Sequence, residues 1–432
     1  MSLILIIIAL AAFAYLAWKN IFQASLVFIA CLPLYVVRVS LAGLPSTLLE
    51  LMLGVLFVMF VIKHPKLKNF KISWELGIWI LIGLVSVGVA GWSLASLGVW
   101  RAYFLEAAMA FIIFANLFKE REDKLQVVKA LSISAIGISV LAAYQYLTGN
   151  LIPNPFWAEA ATRRATSVFP YPNAVGLYLA PIAILSLSAF VSTYKKHIKD
   201  YYLFGLGFIF SIIGIMAARS DGAIFALAFS IFILLVFANK LTRKISLAGL
   251  VLGAIIFFAV PGIKTYVSDR ASLNDFSGQI RKIQWTETWK MLKDNRLVTG
   301  AGLLGYQAAV KPFHQEGFFY NNEKLSQNDF VKKVWNDEAY RESHWQPLEI
   351  YLYPHNIALN FWSELGLVGL LLFAWIFIKY IYKAVKEFIQ TRDVLTLGLI
   401  SVMITILIHG LVDVPYFKND LAIMFWLIIA LL

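Results

Sequence analysis

Residues 353–369 read Tyr353-Pro-His-Asn-Ile-Ala-Leu-Asn-Phe-Trp-Ser-Glu-Leu-Gly-Leu-Val-Gly369. This stretch is the seam between the longest polar segment of the chain and a long apolar run, with a proline suited to the last turn before a helix starts. It sets a titratable side chain, His355, at a membrane surface. Gly366 and Gly369 lie three residues apart further along the same helix, where a missing side chain lets a second helix approach closely.

Outward from this seam the chain is apolar. Of its 432 residues 60% are hydrophobic and 14% are charged, and the mean hydropathy is +0.75. A soluble domain holds roughly 45–50% apolar residues, so these runs face lipid rather than fill one core. The net charge of +12 sits mostly in short loops between apolar runs, a pattern of topology and headgroup contact rather than of nucleic-acid binding. The single cysteine, Cys31, lies inside an apolar run, which excludes an internal disulfide and thiolate metal clusters. Leu3–Trp18 lacks a charged n-region and a small-residue cleavage site, so it reads as a retained helix.

Thirteen runs have the length of a membrane-spanning helix: 2–18, 21–40, 46–63, 74–92, 98–118, 125–147, 173–193, 201–218, 221–239, 245–262, 356–382, 395–411 and 418–432. Only Lys19 and Asn20 part the first two, so the count is 12 or 13. Basic residues concentrate in alternate loops: Lys63, Lys66, Lys68 and Lys71; Lys119, Arg121 and Lys124; Lys195, Lys196 and Lys199; Lys240, Arg243 and Lys244; Lys379, Lys383, Lys386 and Arg392. The positive-inside rule makes these loops cytoplasmic and puts 148–172, the corner at Arg219–Asp221, 263–354 and Asp413–Asp420 outside. The expected fold is all-α: a polytopic bundle of transmembrane helices over 1–262, an external helical subdomain over 263–354, and the C-terminal helices over 355–432. Within 263–354, Trp285, Trp289 and Leu292 recur at helical spacing, as in an amphipathic helix lying in the interface.

Arginines fall near the external face at three places. Arg219 stands at a tight corner between two spans, where a charge is either a functional site or a side chain that snorkels to headgroups or pairs with Asp221. Arg281 opens the amphipathic stretch one turn before Trp285 and, taken alone, suits an interfacial helix. Arg163 and Arg164 precede the seventh span, as headgroup contacts commonly do. Together they say more. Guanidinium forks bind phosphate oxygens bidentately and stay charged, so several converging at one face suggest a site for a phosphate-bearing lipid. His355 would then serve as general base for a hydroxyl attacking beside that phosphate.

Other candidates are weaker. His64 and His197 fall in basic loops, His314 and His344 have no partner spacing, and His409 either supports the site or, as the preferred reading, is a satisfied helix histidine. Glu50, Glu106 and Glu364 lie in apolar spans and read as buried hydrogen-bonding groups or, second, as proton relays; Glu364 is roughly 13 Å below His355 along the helix, too deep to act beside it. Metal-ligand spacings such as HExxH or paired aspartates are absent from the external segments. The broken helices in repeated halves expected of a transporter are not evident either.

Several elements carry a resemblance. His355-Asn356, nine residues, Gly366, two residues and Gly369 resemble the signature of the O-antigen ligase and polymerase superfamily of membrane glycosyltransferases. Arg281 with Trp285, followed by Gly300-Ala-Gly302-Leu-Leu-Gly305, is similar to that family's loop pattern. Ala218-Arg219-Ser220-Asp221-Gly222 resembles its arginine corner, with Ser-Asp inserted, and Phe169-Pro-Tyr-Pro-Asn173 its Phe-x-Asn-Pro-Asn element. The likeness spans about 160–420.

The resemblance implies a GT-C-like architecture in a bacterial inner membrane with a periplasmic active site. The reaction it implies is a metal-independent, inverting transfer without cofactor. The donor would be a glycan on undecaprenyl diphosphate, and the acceptor a sugar hydroxyl on lipid A core or, for a polymerase, on a second lipid-linked glycan. Arg219, Arg281 and His355 would be catalytic, and Arg164, Asn173, Asn356 and Trp285 would bind substrate. A flippase for a lipid-linked anion is the competing reading.

Overall fold

The computed structural model describes residues 3–41, 44–64, 73–194 and 200–432. Lys66, Lys68, Lys71, Lys195, Lys196, His197 and Lys199 lie outside these residues. In chain order the long helices are α1 (Leu3–Lys19), α2 (Ile21–Ala30), α3 (Leu48–Lys63), α4 (Trp74–Val89), α5 (Leu94–Leu117, with a π turn at 101–105), α6 (Arg121–Thr148), α7 (Pro172–Thr193), α8 (Tyr201–Ala218), α9 (Asp221–Ala238), α10 (Lys240–Ala259), α11 (Pro261–Ala271), α12 (Phe276–Lys293), α13 (Ile357–Thr391), α14 (Val394–Gly410) and α15 (Asn419–Ala430). Seven of the described helices are long and apolar enough to cross a membrane: α5 to α10 and α13. The chain is therefore an all-α, multi-pass membrane protein.

The run 21–40 departs from expectation. It is helical only over Ile21–Ala30, turns through a 3₁₀ segment at Leu32–Val36, and enters a hairpin in which β1 (Arg38–Leu41) pairs with β2 (Leu44–Thr47). Ten residues rise about 15 Å, half the hydrocarbon thickness. Pro33 ends the helical hydrogen bonding, and the β-branched Val36, Val37 and Val39 favour the extended chain that follows.

At the centre stands α7. It is apolar on every face, and 89% of its apolar window is buried, against 6% for α10, which leans on α9 and faces outward. Small side chains set the closest approaches: Ser132 of α6 and Ser186 of α7 share a hydrogen bond of 2.9 Å. At one end of the bundle Lys63 donates to the Ala17 and Trp18 carbonyls, Arg121 pairs with Asp393 at 3.2 Å, and Lys124 lies 3.9 Å from Glu387. The described basic loops thus gather at that end.

The seam helix α13 is broken rather than packed closely by a neighbour. Gly366 has φ +72° and ψ −178°, a conformation essentially confined to glycine. The break frees the carbonyl of Ser363 and the N–H of Leu367, which would otherwise bond to each other. A loop from 297 to 304 enters the gap: Ala301 donates to Ser363 O at 2.6 Å and Leu367 donates to Val298 O at 3.0 Å. Gly300 makes this fit possible, since a Cβ there would stand 2.5 Å from the Ser363 carbonyl oxygen. Glu364 accepts from the Leu304 N–H at 2.7 Å and anchors the loop. The paired glycines therefore admit a loop, not a helix, and α13 is a broken helix that sequence reading did not find.

Segment 263–354 contains α11, α12, several helices of ten residues or fewer, and a small antiparallel pair joining Gly317–Phe319 to Trp345–Pro347. The buried face of α12 runs through Gln284, Glu287, Thr288, Met291 and Leu292. That stripe lies against protein, including the start of α13, while Trp289 packs edge-on to Trp362 at 5.5 Å.

Candidate functional site

At the end of the bundle away from the basic loops, a cavity of about 510 Å³ opens among the corner between α8 and α9, the ends of α11 and α14, and the first half of α12. Arg164, Asn173, Arg219, Arg281, Trp285 and Asn356 all line it, so six of the seven expected site residues face one space. His355 does not line the cavity, although its neighbour Asn356 does.

Each arginine is held differently. Arg219 is the C-cap of α8, with φ +49°, and its exposed guanidinium has no hydrogen bond or ion pair with any described residue. The neighbouring carboxylate is engaged elsewhere. Asp221 pairs with Arg270 at the end of α11 and accepts from the Tyr266 hydroxyl at 3.2 Å. Arg281 donates from Nε to Val412 O at 2.8 Å and from Nη1 to Ser277 Oγ at 2.7 Å, which clamps it against the end of α14. Arg164 donates to Ala218 O at 3.0 Å and to Asn173 Oδ1 at 2.7 Å, and Asn173 donates in turn to Asp413 Oδ2 at 3.2 Å. Asn173 and Asp413 thus orient Arg164. Burial first, then the fields of Arg281, Arg270 and Arg219, lower the Arg164 pKa, and Asp221 opposes them. An arginine remains charged through such a shift, so the guanidinium groups of Arg164, Arg219, Arg270 and Arg281 stand close enough to repel one another at this face.

His355 has φ +47°, an uncommon backbone for a residue other than glycine. Its Nδ1 lies 3.0 Å from Gln284 Oε1. With the amide oxygen accepting, Nδ1 carries the proton and Nε2 keeps a lone pair. Burial lowers its pKa; Asp413 raises it and Arg281 lowers it further. The ring is thereby kept neutral at neutral pH, in the form a base requires. Asn356 has a structural duty beside it: its Oδ1 caps α13 by accepting from Leu359 N at 3.0 Å, and its Nδ2 donates to Leu411 O at 3.1 Å.

Several cavity residues escaped the sequence reading. Arg270, Asp275 and Asp413 carry no spacing that marks them. Gln284, which holds His355 without lining the cavity, was not singled out either, although it stands one turn beyond Arg281 on the same helix. His409 lines the cavity and its ring bonds to no described residue, so it is not the satisfied histidine expected. Arg163 binds backbone carbonyls, Ala158 O at 3.1 Å among them. Among the described residues no group of three or more His, Cys, Asp or Glu side chains comes together as a metal site.

Residues 206–374 match the family model described as O-antigen ligase. The match runs from α8 to the broken region of α13 and includes Arg219, Arg281, His355 and both glycines of the seam. No curated protein matches the chain.

Proposed function

We propose that this chain, a glycosyltransferase-type enzyme of the O-antigen ligase and polymerase superfamily, transfers a glycan from an undecaprenyl-diphosphate carrier to a sugar hydroxyl at the periplasmic face. The acceptor hydroxyl attacks the anomeric carbon, the bond from that carbon to the phosphate oxygen breaks, and the electron pair leaves with the lipid diphosphate. The acceptor proton passes to His355 Nε2. Arg219 and Arg281, with Arg164 beside them, neutralise the charge that builds on the diphosphate. The inverted anomeric configuration follows from a single displacement.

The observation that carries this reading is the cavity lined by Arg164, Arg219 and Arg281, none of them ion-paired to a carboxylate. Three such guanidinium groups at one end of a membrane bundle suit a lipid diphosphate. His355 approaches from behind the wall, tied to Arg281 through Gln284, one turn along α12. Transfer to lipid A core, the ligase reaction, is the leading assignment; transfer to a second lipid-linked glycan is the alternative. The test is to incubate the purified chain with a defined lipid-linked donor and each acceptor and to weigh the products. A glycan joined to lipid A core supports the ligase, a doubled lipid-linked glycan the polymerase, and no covalent product with either acceptor removes the transferase reading in favour of a flippase.

A further inference from the structure

At the opposite end of the bundle a second cavity, of about 520 Å³, lies between α4, α5, α13 and α15. Its walls mix apolar side chains, Phe111, Ile376 and Trp426, with Glu75, Tyr380 and Lys383. Two of the polar groups are buried and incompletely bonded. Glu75 is 3% exposed; its Oε1 accepts from Lys379 and from Trp375 Nε1 at 3.3 Å, while its Oε2 is buried without a partner. Tyr380 is 4% exposed and its hydroxyl is also without a partner. Lys383 is exposed and unpaired among the described residues. Glu387, the other acidic group on the wall, is engaged by Thr396 Oγ1 at 3.0 Å.

We infer that this cavity binds a zwitterionic phospholipid with a primary ammonium headgroup. The carboxylate oxygen of Glu75 lacks a donor, which an ammonium N–H supplies. The hydroxyl of Tyr380 lacks an acceptor and Lys383 lacks an anion, and one phosphate meets both. Acyl chains lie along Phe111, Ile376 and Trp426. A phosphatidylcholine headgroup has the same charges but no N–H donor, so it leaves the Glu75 oxygen unbonded. Phosphatidylglycerol offers hydroxyl donors without the positive charge that a carboxylate favours. This site is independent of the transfer reaction.

The experiment is a lipid titration of the delipidated, full chain in detergent, read by native mass spectrometry. It uses phosphatidylethanolamine, phosphatidylcholine and phosphatidylglycerol with identical acyl chains. The ethanolamine lipid is expected to bind about tenfold more tightly than either competitor. Glu75→Gln should erase most of that preference, whereas Tyr380→Phe and Lys383→Ala should each weaken all three lipids together, since each carries the phosphate. Equal binding of the three lipids, a preference for phosphatidylglycerol, an unchanged preference in Glu75→Gln, or an unchanged affinity in Tyr380→Phe would each overturn the assignment. Tyr380→Phe removes one oxygen from a group with no partner, so its loss of affinity still tests the phosphate contact if Glu75→Gln disturbs Lys379.

Discussion

Asp221 is paired with Arg270, forty-nine residues further along the chain, and not with Arg219, which stands two residues before it. Position in the chain suggests the nearer pair; the fold makes the distant one, because α11 ends beside the start of α9. The consequence is that Arg219 meets the cavity with its charge uncompensated.

Replacing Arg219 should therefore affect chemistry and not stability. In the proposed transfer, Arg219→Ala is expected to lower the rate by roughly 100-fold or more, the scale of removing one group that stabilises developing charge. Its melting temperature in detergent should match the wild type, since no described partner is lost. Asp221→Asn should show the reverse balance: a loss of about 1 kcal/mol or less from a partly exposed pair, and a smaller fall in rate. An Arg219→Ala protein that transfers at the wild-type rate would take Arg219 out of the mechanism.

His355 should give the pH profile an acid limb below the ordinary histidine value of 6.5. Burial, the largest influence, disfavours the imidazolium, so the neutral base persists as pH falls and activity is lost only when the lowered pKa is crossed. Asp413 is the group that holds the value up. Asp413→Asn should move the acid limb of kcat/KM to lower pH, whatever it does to the maximum rate. The same shift has a stability consequence: the unfolded chain takes the proton first, so stability falls as pH drops from the unfolded value towards the folded one. An acid limb above the ordinary value would contradict the assignment of His355 as the base.

Much of the architecture was legible because hydropathy reports directly on lipid exposure: each of the thirteen runs contains a helix in the structure, and seven of the described helices are long and apolar enough to cross a membrane. The exception, 21–40, is as apolar as its neighbours, and only Pro33 and the valines after it signal the hairpin. The arginines were legible because a charge at the edge of hydrocarbon is costly and stands out. Their partners were not: Arg270 lies on the short polar helix α11, and Asp413 follows a span as any loop aspartate might. His355 was found as a helix-start histidine, but its hydrogen bond to Gln284 depends on how α12 crosses α13, which no local pattern encodes. The break at Gly366 was hidden for a similar reason, since its partner carbonyl is Val298, sixty-eight residues earlier in the chain.

That break makes Gly366→Ala a severe substitution. The positive φ and extended ψ cost an alanine about 1–3 kcal/mol, and its Cβ would stand 2.2 Å from the Val298 carbonyl oxygen. The loop must withdraw or the helix must straighten, and either leaves the Ser363 carbonyl and Leu367 N–H to be paired anew. Lower yield of folded protein and a melting temperature depressed by several degrees are expected. Glu364→Gln, which keeps an oxygen for the Leu304 N–H, should be much milder. A Gly366→Ala protein as stable as wild type would mean that the inserted loop contributes little to the fold.

Lys418 provides the sharpest separation of fold from site. Its side chain is 11% exposed, its Nζ makes no hydrogen bond, and its closest carboxylate is the fully buried Asp420 at 3.6 Å. The ammonium instead lies over the rings of Phe169, Tyr35 and Tyr171, at 4.7, 5.1 and 5.9 Å from their centroids, an arrangement favoured by the ring quadrupoles. Tyr171 in turn accepts from the Tyr353 hydroxyl at 3.2 Å, and the Tyr353 ring lies 4.9 Å from that of His355. Lys418→Met alone strands the Asp420 charge and should cost about 3–5 kcal/mol. Lys418→Met with Asp420→Leu removes both charges and should recover most of that loss, measured by thermal unfolding in detergent. Glycan transfer by the double variant should nevertheless stay well below wild type, because the cation that draws Tyr171 into place is gone and His355 loses the far end of its support. Recovery of stability together with wild-type transfer would confine the cage to holding the fold.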